Sequence, residues 1–330
     1  MRRLPWPDGT RPLMLAPMQG LTNAALRNCV IERGRPDLVF TEFVRVHLQS
    51  RKRIAPADLA EIAAHQGPVP LVVQLIGNSS DALAEAASRV QQAGGRHLNL
   101  NLGCPYGRMT SGATGGELLR QPGQLAGLLK ALRRAIQGDF SVKCRAGYDD
   151  AQQIFQLLPI FEDCGVDWLI LHPRTVVQQF SGHADHRLTA EIVKRTSLPV
   201  IANGDINAAE YGRRLLDTTG IAGLMLGRGA LADPLLFQRL RGLAPAPVDA
   251  IRRRSELAEF LADLLPLYLE KFCGERQALM KLKDLLNFIP DEDLQGELKK
   301  MKRTTSASIF GKMVGNLAQS FDKPEIYRKL

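Results

Sequence analysis

The stretch at residues 96–118 reads Arg-His-Leu-Asn-Leu-Asn-Leu-Gly-Cys-Pro-Tyr-Gly-Arg-Met-Thr-Ser-Gly-Ala-Thr-Gly-Gly-Glu-Leu. Its alternating part, residues 97–102, predicts a short buried strand, and the glycine-rich part that follows predicts a loop. Gly103 and Pro105 flank Cys104 just past the strand end, where a permissive and a rigid residue present the thiol instead of packing it. A buried, inert cysteine is the other interpretation of such a position.

Seven further apolar runs alternate with helical patterns along the first 240 residues. They cover residues 13–17, 38–44, 71–76, 140–145, 168–172, 200–203 and 223–226. Strands that alternate with helices form parallel sheets with right-handed crossovers, and eight such units predict a closed (β/α)8 TIM barrel. No Gly-x-Gly-x-x-Gly motif follows the first strand, which disfavours an open dinucleotide-binding sheet.

Polar side chains stand near the C-terminal end of nearly every predicted strand, which is where barrels hold their active sites. Lys143, between apolar neighbours, needs an anionic partner, and the edge of a flavin ring would suit it. The amide of Gln74 could hydrogen-bond to a planar ring, and His172 could bind a phosphate or polarise a carbonyl group. The turns at residues 203–205 and 227–229, after strands seven and eight, predict a phosphate site.

Ala-Pro-Ala-Pro at residues 244–247 predicts a stiff linker after the barrel. The patterns beyond it have helical apolar spacing and are interrupted at Gly274 and Pro290. The predicted domains are therefore a catalytic barrel, residues 1–243, and a small C-terminal helical bundle, residues 244–330. The bundle carries the basic run Lys-Lys-Met-Lys-Arg at residues 299–303.

Composition narrows the class of protein. Of the 330 residues, 45% are hydrophobic and 23% charged, as in ordinary globular proteins, and the net charge of +9 suits a polyanionic partner. Five irregularly spaced cysteines predict no disulfide framework, and with no signal peptide and no run long enough to span a membrane we expect a cytoplasmic protein. His183 and His186 lack nearby ligand partners, so no metal site is predicted.

These motifs together resemble the tRNA-dihydrouridine synthase family, flavoenzymes that reduce a uridine in the tRNA D-loop. Seven signatures stand in the family's order across the barrel: Leu-Ala-Pro-Met (15–18), Val-Gln-Leu (73–75), Asn-Leu-Gly-Cys-Pro (101–105), Val-Lys-Cys-Arg-Ala-Gly (142–147), Leu-His-Pro-Arg-Thr (171–175), Ile-Ala-Asn-Gly-Asp-Ile (201–206) and Gly-Arg-Gly (227–229). Thr-Glu-Phe-Val-Arg-Val at 41–46 is similar to the C subgroup, which is associated with uridine 16. About ten residues more than the family pattern has precede the first strand.

The resemblance implies FMN across the barrel mouth, reduced by NADPH. Hydride would pass from flavin N5 to uridine C6, and Cys104, which must then be protonated, would give a proton to C5. The implied cofactor set is Ala16, Pro17, Met18, Gln74, Lys143, His172, Asn203, Gly204, Asp205, Gly227 and Arg228. Asn101 would hold the base, which must turn out of the tRNA to be reached, and Arg45, Phe180, Lys281, Lys283 and Arg303 would contact the tRNA. No protein partner is implied, and a monomer is expected.

Two other functions fit parts of this pattern. An FMN barrel that reduces a free pyrimidine, similar to dihydroorotate dehydrogenase, would need no basic helical domain. A non-catalytic RNA-binding module on a degenerate barrel would not need Asn101, Cys104 and Lys143 together. The sequence therefore favours the tRNA reductase.

Overall fold

The computed structural model describes residues 4–106, 114–246, 250–289 and 294–319. It contains the strands β1 (Leu13–Leu15), β2 (Leu38–Phe40), β3 (Val44–Arg45), β4 (Leu71–Ile76), β5 (His97–Leu102), β6 (Phe140–Gly147), β7 (Trp168–Thr175), β8 (Val200–Asn203) and β9 (Gly223–Leu226). All strand pairs are parallel, and eight strands close into a ring in the order β2-β1-β9-β8-β7-β6-β5-β4, with β4 pairing back to β2. The TIM barrel predicted from the sequence is confirmed.

The second predicted strand, residues 38–44, is shorter than expected. It is divided into β2 and the two-residue β3, which pairs with the end of β4 and is not one of the eight. The chain leaves the ladder at Thr41, whose hydroxyl accepts the backbone N–H of Gln74 at 3.1 Å. A side-chain oxygen thus replaces a backbone partner at this point, which ends the regular strand.

The helices begin where the sequence supplies caps or prolines. Asn23 accepts the N–H of Leu26 at the start of the first helix, and Pro56 and Pro122 occupy first turns of two others. The helices are α1 (Ala24–Gly34), α2 (Pro56–Ala64), α3 (Ser80–Gln92), α4 (Pro122–Ala135), α5 (Ile154–Asp163), α6 (His186–Val193), α7 (Ala209–Thr218), α8 (Arg228–Ala232), α9 (Leu236–Leu240), α10 (Ala250–Lys271), α11 (Glu275–Leu286), α12 (Gln295–Arg303) and α13 (Ala307–Gln319).

The chain forms two compact units. The barrel unit takes the described parts of residues 1–22, 36–206 and 210–227, and the helical unit takes those of 23–35, 207–209 and 228–330. The helical unit therefore includes α1, α8 and α9 besides the four C-terminal helices. The boundary at residues 243–244 stays a prediction from the sequence. Within the described ranges, no helix has both the length and the apolar character needed to cross a membrane.

The barrel has two apolar layers. One lies outside the strands, against α3, α4 and α5, and one fills the N-terminal half of the barrel interior. Trp6, from the N-terminal extension, packs edge-on against Trp168 with ring centroids 5.0 Å apart. The indole N–H of Trp168 donates to Asp139 at 3.0 Å. The extension therefore supplies a large side chain to the interior core at the end of the barrel away from the strand C-termini.

In the helical unit, α1 packs against α10. Arg33 forms ion pairs with Asp263 at 2.6 Å and Glu259 at 3.2 Å, and Asn23 donates to the Tyr268 hydroxyl at 3.3 Å. The first helix of the β/α series is thus tied to the longest C-terminal helix.

Candidate active site

Cys104 lies just past the end of β5 and is partly exposed. The side-chain oxygen of Asn101 accepts the backbone N–H groups of Gly103 and Cys104, at 3.0 and 2.9 Å. The carbonyl oxygen of Cys104 accepts the N–H of Gly116 at 3.0 Å, which ties the turn to the chain beyond the glycine-rich loop. Most of that loop, residues 107–113, lies outside the described residues. The turn that presents the thiol is therefore held from two sides.

A chain of buried side chains continues from Asn101 into the barrel. The Asn101 amide donates to Gln74 at 2.8 Å, the Gln74 amide donates to Asn99 at 2.7 Å, and the Asn99 amide donates to the hydroxyl of Ser141 at 2.8 Å. Gln74 and Asn99 lie on the neighbouring strands β4 and β5, paired in register. Gln74 and Asn101, both predicted site residues, are thus brought into direct contact.

Lys143 lies on β6 beside Asn101, its register partner on β5, on the inner face of the barrel. Burial, together with the nearby positive charge of Arg145, lowers the pKa of Lys143 to about 8. In the described part of the chain, its ammonium group has no hydrogen-bond or ion-pair partner. A lysine held in this way favours an anionic ligand, because such a ligand would offset the cost of keeping its charge partly buried.

Arg145, near the C-terminal end of β6, is a buried cation. It donates to the carbonyl oxygens of Gly103 at 2.9 Å, Thr175 at 2.8 Å and Gln179 at 2.5 Å. Burial, with Arg174 nearby, lowers its pKa to about 10. Its guanidinium lies 5.5 Å from the ring centroid of Phe180, whose side chain is half exposed. Arg145 therefore joins the cysteine turn to the loop after β7.

His172 is buried and neutral. Arg174 donates to its Nε2 at 3.0 Å, and since an arginine cannot accept, the proton of the imidazole must lie on Nδ1. Burial is the main cause that lowers the pKa of His172 far below its usual range, and Lys143 and Arg145 add to it. The ring therefore offers one neutral N–H donor instead of a positive charge.

Asp205 and Gly204 shape the turn after β8. The carboxylate of Asp205 accepts from Arg174 at 2.7 and 3.1 Å and from the backbone N–H of Ala184 at 2.8 Å. Gly204 has φ of 116°, and a Cβ atom there would come within 2.8 Å of the His172 ring. The carboxylate of Asp205 therefore joins the turn after β8 to Arg174 on β7 and to the backbone at Ala184.

The remaining predicted cofactor residues lie at the ends of β1, β8 and β9. Ala16 and Pro17 are buried, and the backbone N–H of Met18 donates to the hydroxyl of Thr22 at 2.8 Å. Asn203 donates to the carbonyl oxygen of Met225 at 2.9 Å and so connects β8 to β9. At Gly227 a Cβ atom would have ordinary contacts only, nothing nearer than 3.5 Å, and Arg228 is the exposed first residue of α8 in the helical unit.

The predicted tRNA contacts divide between the two units. Arg45, exposed on β3, and Phe180 belong to the barrel unit. The other three belong to the helical unit: Lys281 and Lys283 on α11, partly buried, and Arg303, exposed at the end of α12.

Several functional candidates were not found from the sequence. Asn99, Ser141 and Arg174 all face the barrel interior, and alternation along the strands was the signal that could have found them, because Asn99 and Asn101 are two residues apart on β5. His186, by contrast, is a core residue whose Nε2 contacts the carbonyl oxygen of Gly204 at 2.8 Å. No group of three or more potential metal ligands occurs within the described ranges.

Comparison with known proteins places this site in a family. The dihydrouridine synthase (Dus) family matches residues 14–320 of the chain. The chain is 36% identical over 240 residues to a tRNA-dihydrouridine(16) synthase of Haemophilus influenzae, covering 70% of this chain and 77% of that protein. It is 31% identical over 295 residues to tRNA-dihydrouridine synthase B of Shewanella oneidensis, covering 87% and 88%.

Similar solved structures share the barrel at much lower identity. Morphinone reductase in complex with tetrahydroNAD superposes with a TM-score of 0.51 at 14% identity, covering 73% of this chain and 90% of that one. Histamine dehydrogenase from Rhizobium sp. 4-9 gives a TM-score of 0.57 at 13% identity, covering 78% and 49%. These likenesses show the fold alone, whereas the match over residues 14–320 extends through the barrel and the C-terminal helices. The chain belongs to the dihydrouridine synthase family.

Proposed function

We propose that this protein is a tRNA-dihydrouridine synthase that reduces uridine 16 of the tRNA D-loop, with FMN as bound cofactor and NADPH as reductant. One observation carries the proposal: neighbouring strands β5 and β6 bring a partly exposed thiol, Cys104, and Lys143, which has no partner among the described residues, to the same end of the barrel. Family membership and the tRNA-dihydrouridine synthases among the relatives support the substrate.

The residues at the barrel mouth fit a flavin. Lys143, which has no partner in the described residues, would hold the electron-rich edge of the ring, and Gln74 retains one amide hydrogen beyond the one it gives to Asn99. His172 would add a neutral N–H donor. The buried Ala16 and Pro17 would pack against the ring, and the turn at residues 203–205 and Gly227 would lie towards the phosphate. When bound, the flavin would supply the hydride for uridine C6.

The protein's own chemical step is the delivery of a proton. Cys104 would donate its Sγ proton to uridine C5 as general acid, and solvent at the partly exposed thiol would restore it. Asn101 would orient the base, because only one of its two amide hydrogens is used, in the bond to Gln74. A side chain whose remaining atoms are fixed loses little freedom when it takes a ligand, which suits a residue that must place C5 against the thiol.

The tRNA would be held by charge and stacking outside the pocket. A uracil must leave the stacked tRNA to reach Cys104, and the net charge of +9 suits the phosphates around it. Arg45 and Phe180 of the barrel unit, and Lys281, Lys283 and Arg303 of the helical unit, are the contacts we propose. The sequence at 41–46 and the Haemophilus relative favour uridine 16.

Visible absorption spectroscopy tests the proposal. The purified protein should show flavin bands that NADPH bleaches, and anaerobic addition of a tRNA transcript should restore them. A matched transcript with cytidine at position 16 should restore them much more slowly, and mapping should find dihydrouridine at position 16 only. Restoration by a free pyrimidine instead of tRNA would favour the metabolic reductase. A protein that binds no flavin, even when FMN is added, would contradict both enzymes.

A further inference from the structure

We propose that Asn99 is a positioning residue for Cys104, acting through a one-directional chain of buried side chains, Ser141–Asn99–Gln74–Asn101, that runs along the inner face of the neighbouring strands β6, β5 and β4. Asn99 reaches neither the thiol nor the mouth: two side chains, Gln74 and Asn101, lie between it and the cysteine turn. The catalytic part of this inference rests on the proposed function, but the structural part does not.

Backbone groups fix the direction of every bond in the chain. At one end, two backbone N–H groups, of Gly103 and Cys104, point at the same atom of Asn101, which must therefore be the oxygen. Its nitrogen then faces Gln74, so the Gln74 oxygen accepts and the Gln74 nitrogen donates to Asn99. At the other end, the hydroxyl of Ser141 accepts from Asn99 and donates to the carbonyl oxygen of Leu98 at 3.4 Å. No amide in the chain can rotate without opposing two donors or two acceptors.

The position of this layer argues that it serves more than packing. Gln74 and Ser141 are 0% exposed and Asn99 is 1% exposed. Barrel interiors are usually filled by branched apolar residues, and the layer just below, with Phe40, Ile170 and others, is apolar here. A buried amide is costly when it lacks partners, whereas a chain in which each amide is held by its neighbours specifies one arrangement. The single arrangement that this chain specifies is the orientation of Asn101 that holds the Cys104 turn.

Two variants of Asn99 separate positioning from packing. Asn99→Leu removes the acceptor of the Gln74 amide, so Gln74 is held from one side only, and Asn101 loses the fixed support behind its bond to Gln74. Asn99→Asp keeps an acceptor for Gln74, and its second oxygen can accept from the Ser141 hydroxyl turned towards it. Ile170→Leu changes the apolar interior of the barrel at a residue that is not a member of the chain, and it is the matched control.

The first measurement is the rate at which iodoacetamide alkylates Cys104, divided by the rate for Cys273, read by peptide mass spectrometry. Cys273 is exposed in the helical unit, whereas the other three cysteines are buried, so it serves as an internal reference. We expect the ratio to change at least threefold in Asn99→Leu and to stay near the wild-type value in Asn99→Asp and Ile170→Leu. This readout requires neither tRNA nor turnover.

The second measurement compares the rates of the two half-reactions, flavin reduction by NADPH and the tRNA-dependent step. In Asn99→Leu the tRNA-dependent step should slow by about 10- to 100-fold, as small misplacements of reacting groups do, while flavin reduction by NADPH stays within about twofold. If Asn99→Leu does not fold, Ser141→Ala, which removes the acceptor of Asn99, should shift both readouts in the same direction by less. An unchanged ratio in Asn99→Leu, or a change that Asn99→Asp does not rescue, would overturn the proposal. The wild-type protein could also prove inactive on tRNA while the alkylation ratio still changes in Asn99→Leu and returns in Asn99→Asp. That result would support the positioning role and contradict only the proposed function.

Discussion

Replacing Lys143 by methionine should stabilise the flavin-free protein and at the same time weaken flavin binding. Burial lowers the pKa of Lys143 from 10.5 to about 8. Each unit of difference between the folded and unfolded pKa corresponds to about 1.4 kcal/mol, so the charged lysine lowers the free energy of unfolding by about 3 kcal/mol at pH 7. Methionine fills a similar volume without the charge and should recover most of that free energy.

The pH dependence gives the prediction its sign. The reduction of the free energy of unfolding by the charged lysine is fully present below pH 8. It is lost as the pH rises from 8 towards 10.5, because in that range Lys143 has released its proton in the folded chain but still binds it in the unfolded chain. Urea unfolding of flavin-free wild type and Lys143→Met should therefore give a gap of about 3 kcal/mol at pH 7 that narrows by about 2 kcal/mol at pH 9.5. Lys194→Met, at an exposed position after α6, is the control and should show no such narrowing.

Fluorescence titration with FMN completes the assay. Because the variant lacks the only charge that we place at the ring edge, its dissociation constant for FMN should rise at least about tenfold. A stability gap equal at both pH values, or a variant less stable than wild type at pH 7, would refute the electrostatic reasoning. Unchanged FMN affinity would refute the cofactor role of Lys143.

Three further perturbations have definite outcomes. Cys104→Ala should keep flavin and fold but slow tRNA-dependent flavin reoxidation by about 10²- to 10⁴-fold, while Cys273→Ala has no effect; loss of flavin would mean that the thiol is structural. The double variant Lys281→Glu/Arg303→Glu should bind tRNA more weakly, and the slope of log affinity against log salt concentration should fall by about one per lost phosphate contact. Flavin reduction by NADPH should not change, and an unchanged tRNA affinity would mean that the RNA binds elsewhere. Trp6→Ala should lower the free energy of unfolding by about 3–5 kcal/mol, measured by urea denaturation, without altering FMN affinity; a change below 1 kcal/mol would contradict its place in the core.

The fold was largely predictable because strand and helix periods alternate plainly along the chain. The eight barrel strands were found in their order along the chain, since each contains a short apolar or alternating run bounded by turn residues. The break after Phe40 was not foreseen, because it depends on a hydroxyl, that of Thr41, which bonds to a strand thirty residues later. Contacts between distant side chains leave no trace in local spacing.

The candidate site was predictable only where single residues stand out in the sequence, because contacts between its side chains join distant parts of the chain. Cys104 and Lys143 could be selected because a thiol after a strand and a lysine inside one are unusual by themselves. Asp205 could be selected because it follows β8, but the pairing of its carboxylate with Arg174 on β7 could not be predicted from local spacing. Trp6 also needed the structure, because nothing in a short N-terminal segment tells which cavity its aromatic ring fills.

The packing of α1 bears on how this protein can be dissected. Expressing residues 1–243 alone would remove α10, against which Cys29 packs and with which Arg33 forms two ion pairs. It would also cut next to Pro245, whose carbonyl oxygen accepts from the buried Arg239, itself paired with Glu256 of α10. A truncated chain would thus expose an apolar helix face and leave a buried guanidinium short of partners. Exchanging the C-terminal helices between relatives would for the same reason require α1 to be exchanged with them.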